Sequence, residues 1–173
     1  MINLKEQKKN ARAFIKRWEG RGNERQDSQS FWLDLLQSVY GIEKPSEYIT
    51  FEDKVMLDHT SFIDGFIDTT KVLIEQKGSD KDLNKAIKQS DVTFLTPFQQ
   101  AKRYSANLPY SKRPRWIVTC NFKLSYGNLI NQSPRSPAIY ANSTLQLSEK
   151  DQFFGKILAL KKVSKKRRNS LRL

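Results

Sequence analysis

Cysteine and histidine are almost missing from this chain, which has one of each among its 173 residues. The single cysteine, Cys120, allows no internal disulfide and no cysteine-based zinc cage, and it fits a reducing cytosolic setting. The single histidine, His59, has no partner in the sequence for a catalytic triad or a zinc site, so we assign it to a loop. These shortages argue against disulfide-stapled and zinc-finger classes.

Long apolar runs are missing as well. No segment approaches the roughly 20 apolar residues of a membrane-spanning helix. Residues 1–9, which are rich in Lys, Glu and Gln, lack the apolar core of a signal peptide. The sequence therefore predicts a soluble cytoplasmic protein with no membrane partner.

Positive charge is abundant, because 31 Lys and Arg stand against 18 Asp and Glu and give a formal net charge of +13. An excess this large indicates an anionic partner such as nucleic acid or a membrane surface. Eight of the basic residues follow Asp151 with no acid among them, which leaves +5 on residues 1–155. The tail either binds nucleic acid nonspecifically or is only a solvated terminus.

Residues 61–77 predict a β-hairpin. Its halves, 61–67 and 71–77, alternate in side-chain character and are rich in β-branched and aromatic residues. Asp68, Thr69 and Thr70 would form the turn. With the hairpin centred between Thr69 and Thr70, opposite residues have numbers that sum to 139.

This register places an acid, an acid and a lysine together. Asp64 faces Glu75 with Cβ atoms about 5 Å apart, and Lys77 shares the face of Glu75. Two carboxylates so close repel unless a cation lies between them, and Mg²⁺ prefers such oxygen ligands. The lysine would orient or help to deprotonate a water, or stabilise a phosphoryl transition state. The alternative is a solvated ion-pair face.

Other segments predict helices and strands around the hairpin. Two N-terminal helices are expected, at residues 4–19 and from Asp27 or Ser28 to Tyr40, followed by a strand at 48–57. A helix at 98–107 places Gln100 and Tyr104 on one face, and an apolar strand follows at 115–122. From Lys123 onward Ser, Asn, Gln and Pro dominate, which predicts an irregular basic tail. The chain then divides into a helical region (1–43), a core (44–122) and a tail (123–173).

This order of elements resembles the PD-(D/E)xK nuclease superfamily, an α/β (α+β) fold with a mixed sheet flanked by helices. More closely, it resembles the N-terminal part of Type IIL (MmeI-like) restriction-modification enzymes. The motifs that carry the resemblance are Ile63-Asp-Gly65, Val72-Leu-Ile-Glu-Gln-Lys77, Gln89-Ser-Asp91, Leu95-Thr-Pro97, Gln100-Ala-Lys-Arg-Tyr104 and the strand from Pro114 to Phe122. The resemblance runs from about Ala11 to Phe122. It stops near Lys123, and this break predicts a truncated or frameshifted fragment.

The resemblance implies roles for individual residues. Asp64 and Glu75 would ligate Mg²⁺, Lys77 would serve the attacking water, and the reaction would be metal-assisted hydrolysis of a DNA phosphodiester. Gln100 and Tyr104 match a supporting Gln-x-x-x-Tyr element, and Glu24 matches a helical acid near the metal. Basic residues near this element are expected to contact double-stranded DNA: Lys102, Arg103, Lys112 and Arg113.

The resemblance also implies a bacterial setting and a larger parent architecture. Its parent enzymes carry an adenine methyltransferase that uses S-adenosylmethionine and a target-recognition domain, and this chain has no motif of either. A homo-oligomer assembled on DNA is left open. Two alternatives to an endonuclease domain remain: a noncatalytic DNA-binding or assembly module, and a nonfunctional truncated remnant.

Overall fold

The computed structural model describes residues 3–57, 60–123, 125–129 and 138–140. They form an α+β fold in which helices lie on both faces of a mixed sheet, as the sequence predicts. Within these ranges, no helix is both long and apolar enough to cross a membrane. His59 lies outside the described residues, so its assignment to a loop remains a prediction, and so does the division of the chain at residues 43 and 122.

The N-terminal layer contains two helices. Helix α1 spans Leu4–Trp18 and is capped by Asn3, whose side chain accepts the Glu6 N–H. Helix α2 spans Glu24–Asp34 and continues as a π-helical segment, Leu35–Val39. The prediction of a first helix over residues 4–19 is therefore confirmed.

The predicted start of the second helix, at Asp27 or Ser28, is wrong. Asn23 caps α2 by accepting the Gln26 N–H, so the helix begins one turn earlier. The Asp27 carboxylate instead reaches back to the Gly22 and Asn23 N–H groups and to Arg21. These bonds, that to Arg21 foremost, lower the pKa of Asp27. Asp27 therefore fixes the turn before the helix and does not cap it.

The main sheet has five strands in the order β3-β4-β7-β8-β9. Their bounds are β3 Gly65–Ile67, β4 Val72–Gln76, β7 Trp116–Cys120, β8 Ser125–Leu129 and β9 Ala138–Tyr140. Strands β4 and β7 are parallel and every other neighbouring pair is antiparallel. Parallel neighbours require a crossover, and helix α3, Pro97–Asn107, lies within it. Thr96 caps α3 in a capping box with Gln99.

The predicted hairpin and its register are confirmed. Gly65, Phe66 and Ile67 pair with Ile74, Leu73 and Val72, so paired residue numbers sum to 139. Lys71 takes a positive φ of 55° in the turn and forms an ion pair with Asp68. Asp68 is thus a turn residue, as expected, and is not part of the site.

Two predicted strands are shorter or divided. The strand expected over residues 61–67 bends at Asp64, and its first half becomes β2, Thr60–Ile63, paired with β1, Asp53–Met56. The expected strand 48–57 is thus reduced to β1, which follows a 3₁₀ turn at Pro45–Glu47. A second small ribbon consists of β5, Ile87–Lys88, and β6, Phe94–Leu95. The bend releases Asp64 from regular strand geometry.

The sheet extends past Phe122. Strand β8 pairs along the whole of β7, and β9 pairs with β8, so eight residues expected to be irregular form strands. Alternation at 125–129 is broken by Gly127 and Asn128, which hid the strand in the sequence. Residues 141–173, where a basic tail is predicted, lie outside the described residues.

The core lies on both faces of strand β4. One face packs against the N-terminal helices through Val72 and Ile74. The opposite face packs against α3 through Leu73. All five residues of β4 are therefore buried, including the polar pair Glu75 and Gln76. A carboxyl and an amide inside such a strand require specific partners.

Candidate functional site

Asp64 lies where the first strand of the hairpin bends. Asp64 directly precedes Gly65, which pairs with Ile74, and it lies near enough to Glu75 for its charge to raise the pKa of that carboxyl. Asp64 Oδ2 accepts a hydrogen bond from the Gln76 main-chain N–H at 2.7 Å. The bend therefore directs this carboxylate to the end of β4, as the register predicts.

Glu75 and Lys77 form a nearly buried ion pair. Lys77 Nζ lies 2.6 Å from Glu75 Oε1, and the two side chains are 12% and 1% exposed, respectively. This contact confirms that the two side chains share one face. Glu75 Oε2 is buried and has no hydrogen-bond partner among the described residues. Half of the carboxylate is therefore paired and half is not.

The electrostatics of the site reflect its burial. Burial raises the pKa of Asp64 to about 6. Burial, followed by the charge of Asp64, raises the pKa of Glu75 to about 8. Burial acts in the opposite direction on Lys77, but the charges of Glu75 and Asp64 outweigh it and raise the lysine pKa above its ordinary value. The lysine is therefore a cation at neutral pH.

Glu24 approaches the site from the first turn of α2. Its Oε1 lies 3.7 Å from Lys77 Nζ, and its Oε2 accepts the Gly78 N–H at 2.9 Å. The structure thus brings this predicted helical acid beside the lysine. One Glu24 oxygen is already held by the main chain just beyond β4.

Gln100 and Tyr104 are joined on helix α3. Gln100 Nε2 donates to the Tyr104 hydroxyl at 2.8 Å, and Ser61 also hydrogen-bonds this hydroxyl. Burial raises the pKa of Tyr104, and the charge of Glu75 contributes to the shift. Tyr104 therefore packs on the sheet face that carries Glu75.

The predicted DNA-contacting residues lie in two segments, helix α3 and the loop before β7. Lys102 is exposed on α3, whereas Arg103 forms an ion pair with Asp91. Lys112 and Arg113 precede β7, close to Lys71, whose side chain donates to the Ser111 carbonyl. Lys71 and Lys77 mark opposite ends of β4, roughly 20 Å apart at the rise of an extended chain. The basic loop and the acidic site therefore lie at different ends of the sheet.

Trp32 and Gln76 are two residues beside the site that were not predicted from the sequence. Gln76 is 0% exposed, and its Oε1 accepts the Trp32 indole N–H at 2.9 Å. Its Nε2 donates to the Lys77 carbonyl at 3.0 Å. The available signal was an amide inside the apolar run Val72-Leu-Ile-Glu-Gln, because a buried amide needs partners.

The donor set fits Mg²⁺ on two carboxylates, Asp64 and Glu75. Mg²⁺ keeps several waters and binds through one or two carboxylates, so a larger protein cage is not needed. The described residues accordingly contain no group of three or more His, Cys, Asp or Glu arranged around a metal position. Glu75 Oε2, which has no hydrogen-bond partner within the described ranges, is a buried acceptor that a cation would satisfy.

A carboxylate and lysine site at the end of a mixed-sheet strand, covered by helices on both faces, defines an α+β protein with a buried polar centre. The family described as "MmeI, N-terminal domain" matches residues 9–171, and the chain belongs to this family. It is thus related to a part of restriction-modification enzymes. No curated protein and no solved structure gives a significant match.

The extent of this match corrects one prediction. The resemblance was expected to stop near Lys123, but the family match continues to residue 171. The break that motivated a truncated or frameshifted fragment is therefore absent.

Proposed function

We propose that this chain is a Mg²⁺-dependent DNA endonuclease domain of the PD-(D/E)xK type within a restriction-modification enzyme. One observation carries the proposal: Glu75, a fully buried carboxylate whose pKa is raised by the nearby charge of Asp64, has Lys77 on one oxygen, while its other oxygen has no hydrogen-bond partner in the described part of the chain. A purely structural site would satisfy both oxygens, because an unpaired buried acceptor costs about 1–3 kcal/mol.

The raised pKa values of the two carboxyls support a cation-binding role. Without a metal, burial favours the protonated forms of Asp64 and Glu75. A cation between the two carboxylates would favour their charged forms instead. When bound, Mg²⁺ polarises the scissile phosphate and lowers the pKa of its coordinated water. Asp64 and Glu75 are the residues that would hold the ion, and the Gln76 N–H fixes the orientation of Asp64.

Lys77 has the role of a charged donor in this proposal. Its raised pKa argues against proton abstraction as its main task. The ammonium group donates to the attacking oxygen or to a phosphate oxygen, and so positions the nucleophile and stabilises the charge of the transition state. Glu24 lies close enough to Lys77 to form a second ion pair with its ammonium group. Gln100 holds the Tyr104 hydroxyl, and Tyr104 lies near enough to Glu75 to feel its charge.

The proposed substrate is double-stranded DNA in the cytoplasm of a bacterium. The net charge of +13 favours binding to an anionic polymer. Among the predicted contacts, Lys102 is exposed on α3, the helix that also carries Gln100 and Tyr104. Arg103 forms an ion pair with Asp91. It can contact a DNA phosphate either while it keeps this ion pair or by exchanging Asp91 for the phosphate.

Plasmid cleavage with Mg²⁺ or Mn²⁺ tests the proposal. We expect the wild type to nick or cut DNA, and Asp64→Asn, Glu75→Gln and Lys77→Met each to lose at least 100-fold in rate, in the range of transition-state electrostatic contributions. Asp68→Asn and Lys71→Met are matched controls, because this second acid–lysine pair occupies the turn of the same hairpin. Both controls should cleave like the wild type.

Two outcomes contradict the proposal. Equal cleavage by the wild type and the three site variants removes the catalytic assignment. Absent cleavage with retained, salt-sensitive DNA binding favours the noncatalytic DNA-binding module instead.

A further inference from the structure

The chain segment that carries Lys77 is held at every main-chain N–H. The Gln76 N–H donates to Asp64 Oδ2 at 2.7 Å and the Lys77 N–H to the Cys120 carbonyl at 2.7 Å. The Gly78 N–H donates to Glu24 Oε2 at 2.9 Å and the Ser79 N–H to the Gly22 carbonyl at 3.0 Å. Two of these four acceptors are acids of the candidate site. A shift of this segment therefore moves the lysine and changes the support of both acids.

The Gln76 side chain is the internal support of this segment. It points away from Glu75 and Lys77, into the face covered by the N-terminal helices, where its Oε1 accepts the Trp32 indole N–H. Its Nε2 donates to the Lys77 carbonyl, and its main-chain N–H donates to Asp64. Gln76 is therefore hydrogen-bonded to Trp32 and Lys77 through its side chain and to Asp64 through its main chain. Gln76 thus links helix α2 to the carboxylate and lysine face through the strand.

We propose that Gln76, anchored by Trp32, is a positioning residue that sets the orientation of Lys77 and Asp64 for catalysis. The inference rests on the proposed nuclease function and adds a role for the N-terminal helices in it. The Lys77 carbonyl is held by Gln76 and the Lys77 N–H by Cys120, so the peptide groups on both sides of its Cα are fixed. The orientation of a catalytic side chain follows from that of its Cα, and a displacement of about 1 Å can cost 100-fold in rate.

Packing alone does not account for this arrangement. An apolar residue of similar size would fill the position without needing partners, whereas a buried amide is costly unless it is hydrogen-bonded. The amide of Gln76 uses both of its ends, one toward the helix and one toward the lysine. Its polar atoms therefore impose a direction on the segment that an apolar side chain would not.

Trp32→Phe and Gln76→Met test the inference. Trp32→Phe removes the indole donor and keeps an aromatic ring, and Gln76→Met keeps the length of the side chain and removes both bonds. Trp18→Phe is the matched control, because the Trp18 indole N–H donates to Asp34 Oδ2 at 2.8 Å in the same helical layer and makes no bond to β4. Both tryptophan variants lose one ring and one indole hydrogen bond.

We expect kcat for DNA cleavage to fall 10- to 100-fold in Trp32→Phe and Gln76→Met, with KM changed less than about twofold. Trp18→Phe should keep the wild-type kcat at a similar loss of thermal stability. If loss of kcat follows loss of stability equally in both tryptophan variants, Gln76 has only a structural role and the inference is wrong.

Amide hydrogen exchange gives a readout that does not depend on cleavage. In the metal-free protein we expect the amides of Gln76, Lys77 and Gly78 to exchange at least tenfold faster in Trp32→Phe than in Trp18→Phe. The amides of β7 should be alike in the two variants. Equal exchange at the three positions overturns the inference. If the wild type does not cleave DNA, the proposed function fails, and the exchange rates alone decide whether Gln76 holds this segment.

Discussion

Lys77 Nζ lies 2.6 Å from Glu75 Oε1, and this pair is almost fully withdrawn from solvent. The same hairpin carries a second acid–lysine pair, Asp68 with Lys71, in which the Asp68 side chain is 72% exposed. The sequence left open whether such residues form a site or a solvated ion-pair face. Within one hairpin, Glu75 and Lys77 form a buried pair at the candidate site, and Asp68 and Lys71 form the exposed pair.

The first prediction is that Asp64→Asn stabilises the metal-free protein. Burial raises the pKa of Asp64 to about 6, so the ionised group destabilises the fold at pH 8, and each pKa unit corresponds to about 1.4 kcal/mol. The amide oxygen of asparagine still accepts the Gln76 N–H. We expect a gain of about 1–3 kcal/mol in the free energy of unfolding at pH 8, measured by denaturant titration with EDTA present.

Asp68→Asn is the control for this gain. It changes the same residue type at an exposed turn position and should alter stability by less than about 0.5 kcal/mol. A destabilised Asp64→Asn protein at pH 8 would show that the carboxylate is needed for folding itself and would contradict the prediction.

The second prediction concerns pH and Mg²⁺ together. The pKa values of Asp64 and Glu75 are raised in the folded protein to about 6 and 8. A carboxyl with a raised folded pKa favours folding while protonated, so its contribution is lost as pH rises from its unfolded value through its folded value. The metal-free protein should therefore lose stability between about pH 4 and 8 on account of these groups. Lys77 adds no pH dependence to the stability over this window, because the lysine stays charged in both the folded and the unfolded protein.

Metal binding requires the charged carboxylates, so added Mg²⁺ should oppose this loss. We expect millimolar Mg²⁺ to raise the Tm more at pH 8 than at pH 5.5 in thermal unfolding. The double variant Asp64→Asn/Glu75→Gln should show no such difference. An equal Mg²⁺ effect at both pH values, or in the double variant, would argue for nonspecific binding of the ion.

The hairpin was predictable because its signals are local. Alternation and an even-numbered turn determine the register, so Asp64 opposite Glu75 and Lys77 beside Glu75 follow from residue numbers alone. The capping box at Thr96 is equally local. The start of α2 was not recovered, because Asn23, Asp27 and Ser28 are all good capping residues, and only the bonds of Asp27 back to the preceding turn, to Arg21 among others, decide between them.

Contacts between segments that are distant in the chain could not be predicted from the sequence. The bond between Trp32 and Gln76 joins residues 44 positions apart, and neither residue signals the other. Strand β8 was missed for a related reason, since its pairing with β7 stabilises a segment of low strand propensity. Tertiary context outweighed local preference in both cases.

The third prediction is that Tyr104→Phe reduces cleavage while leaving the fold largely intact. The variant removes the hydroxyl that accepts from Gln100 and keeps the ring packed on the sheet. We expect a loss of about 1 kcal/mol in stability. We also expect roughly a tenfold loss in cleavage rate, because the tyrosine ring near Glu75 is no longer held by Gln100. Tyr110→Phe is the control, since this tyrosine is 87% exposed. Equal cleavage rates for the two variants would show that the hydrogen bond between Gln100 and Tyr104 does not contribute to cleavage.

The fourth prediction compares two glycines in the connection between α1 and α2. Gly20 has a φ of +76° with no heavy atom within 4 Å of an added Cβ, whereas Gly22 has a φ of +138° and an added Cβ would lie 2.5 Å from Ser79 Cβ. Gly20→Ala incurs only the strain of the left-handed conformation, about 1–2 kcal/mol. Gly22→Ala adds a steric conflict with the segment that follows Lys77, so we expect a loss of at least 3 kcal/mol.

This comparison also tests how the helical layer meets the site. The Gly22 carbonyl accepts the Ser79 N–H, and Glu24, the first residue of α2, accepts the Gly78 N–H. Displacement of the connection by Gly22→Ala should therefore free both amides and lower cleavage at a temperature where the variant remains folded. Gly20→Ala should cleave at the wild-type rate. Thermal unfolding and plasmid cleavage on the two alanine variants measure both effects, and equal behaviour of the two would contradict the close approach of Gly22 to Ser79.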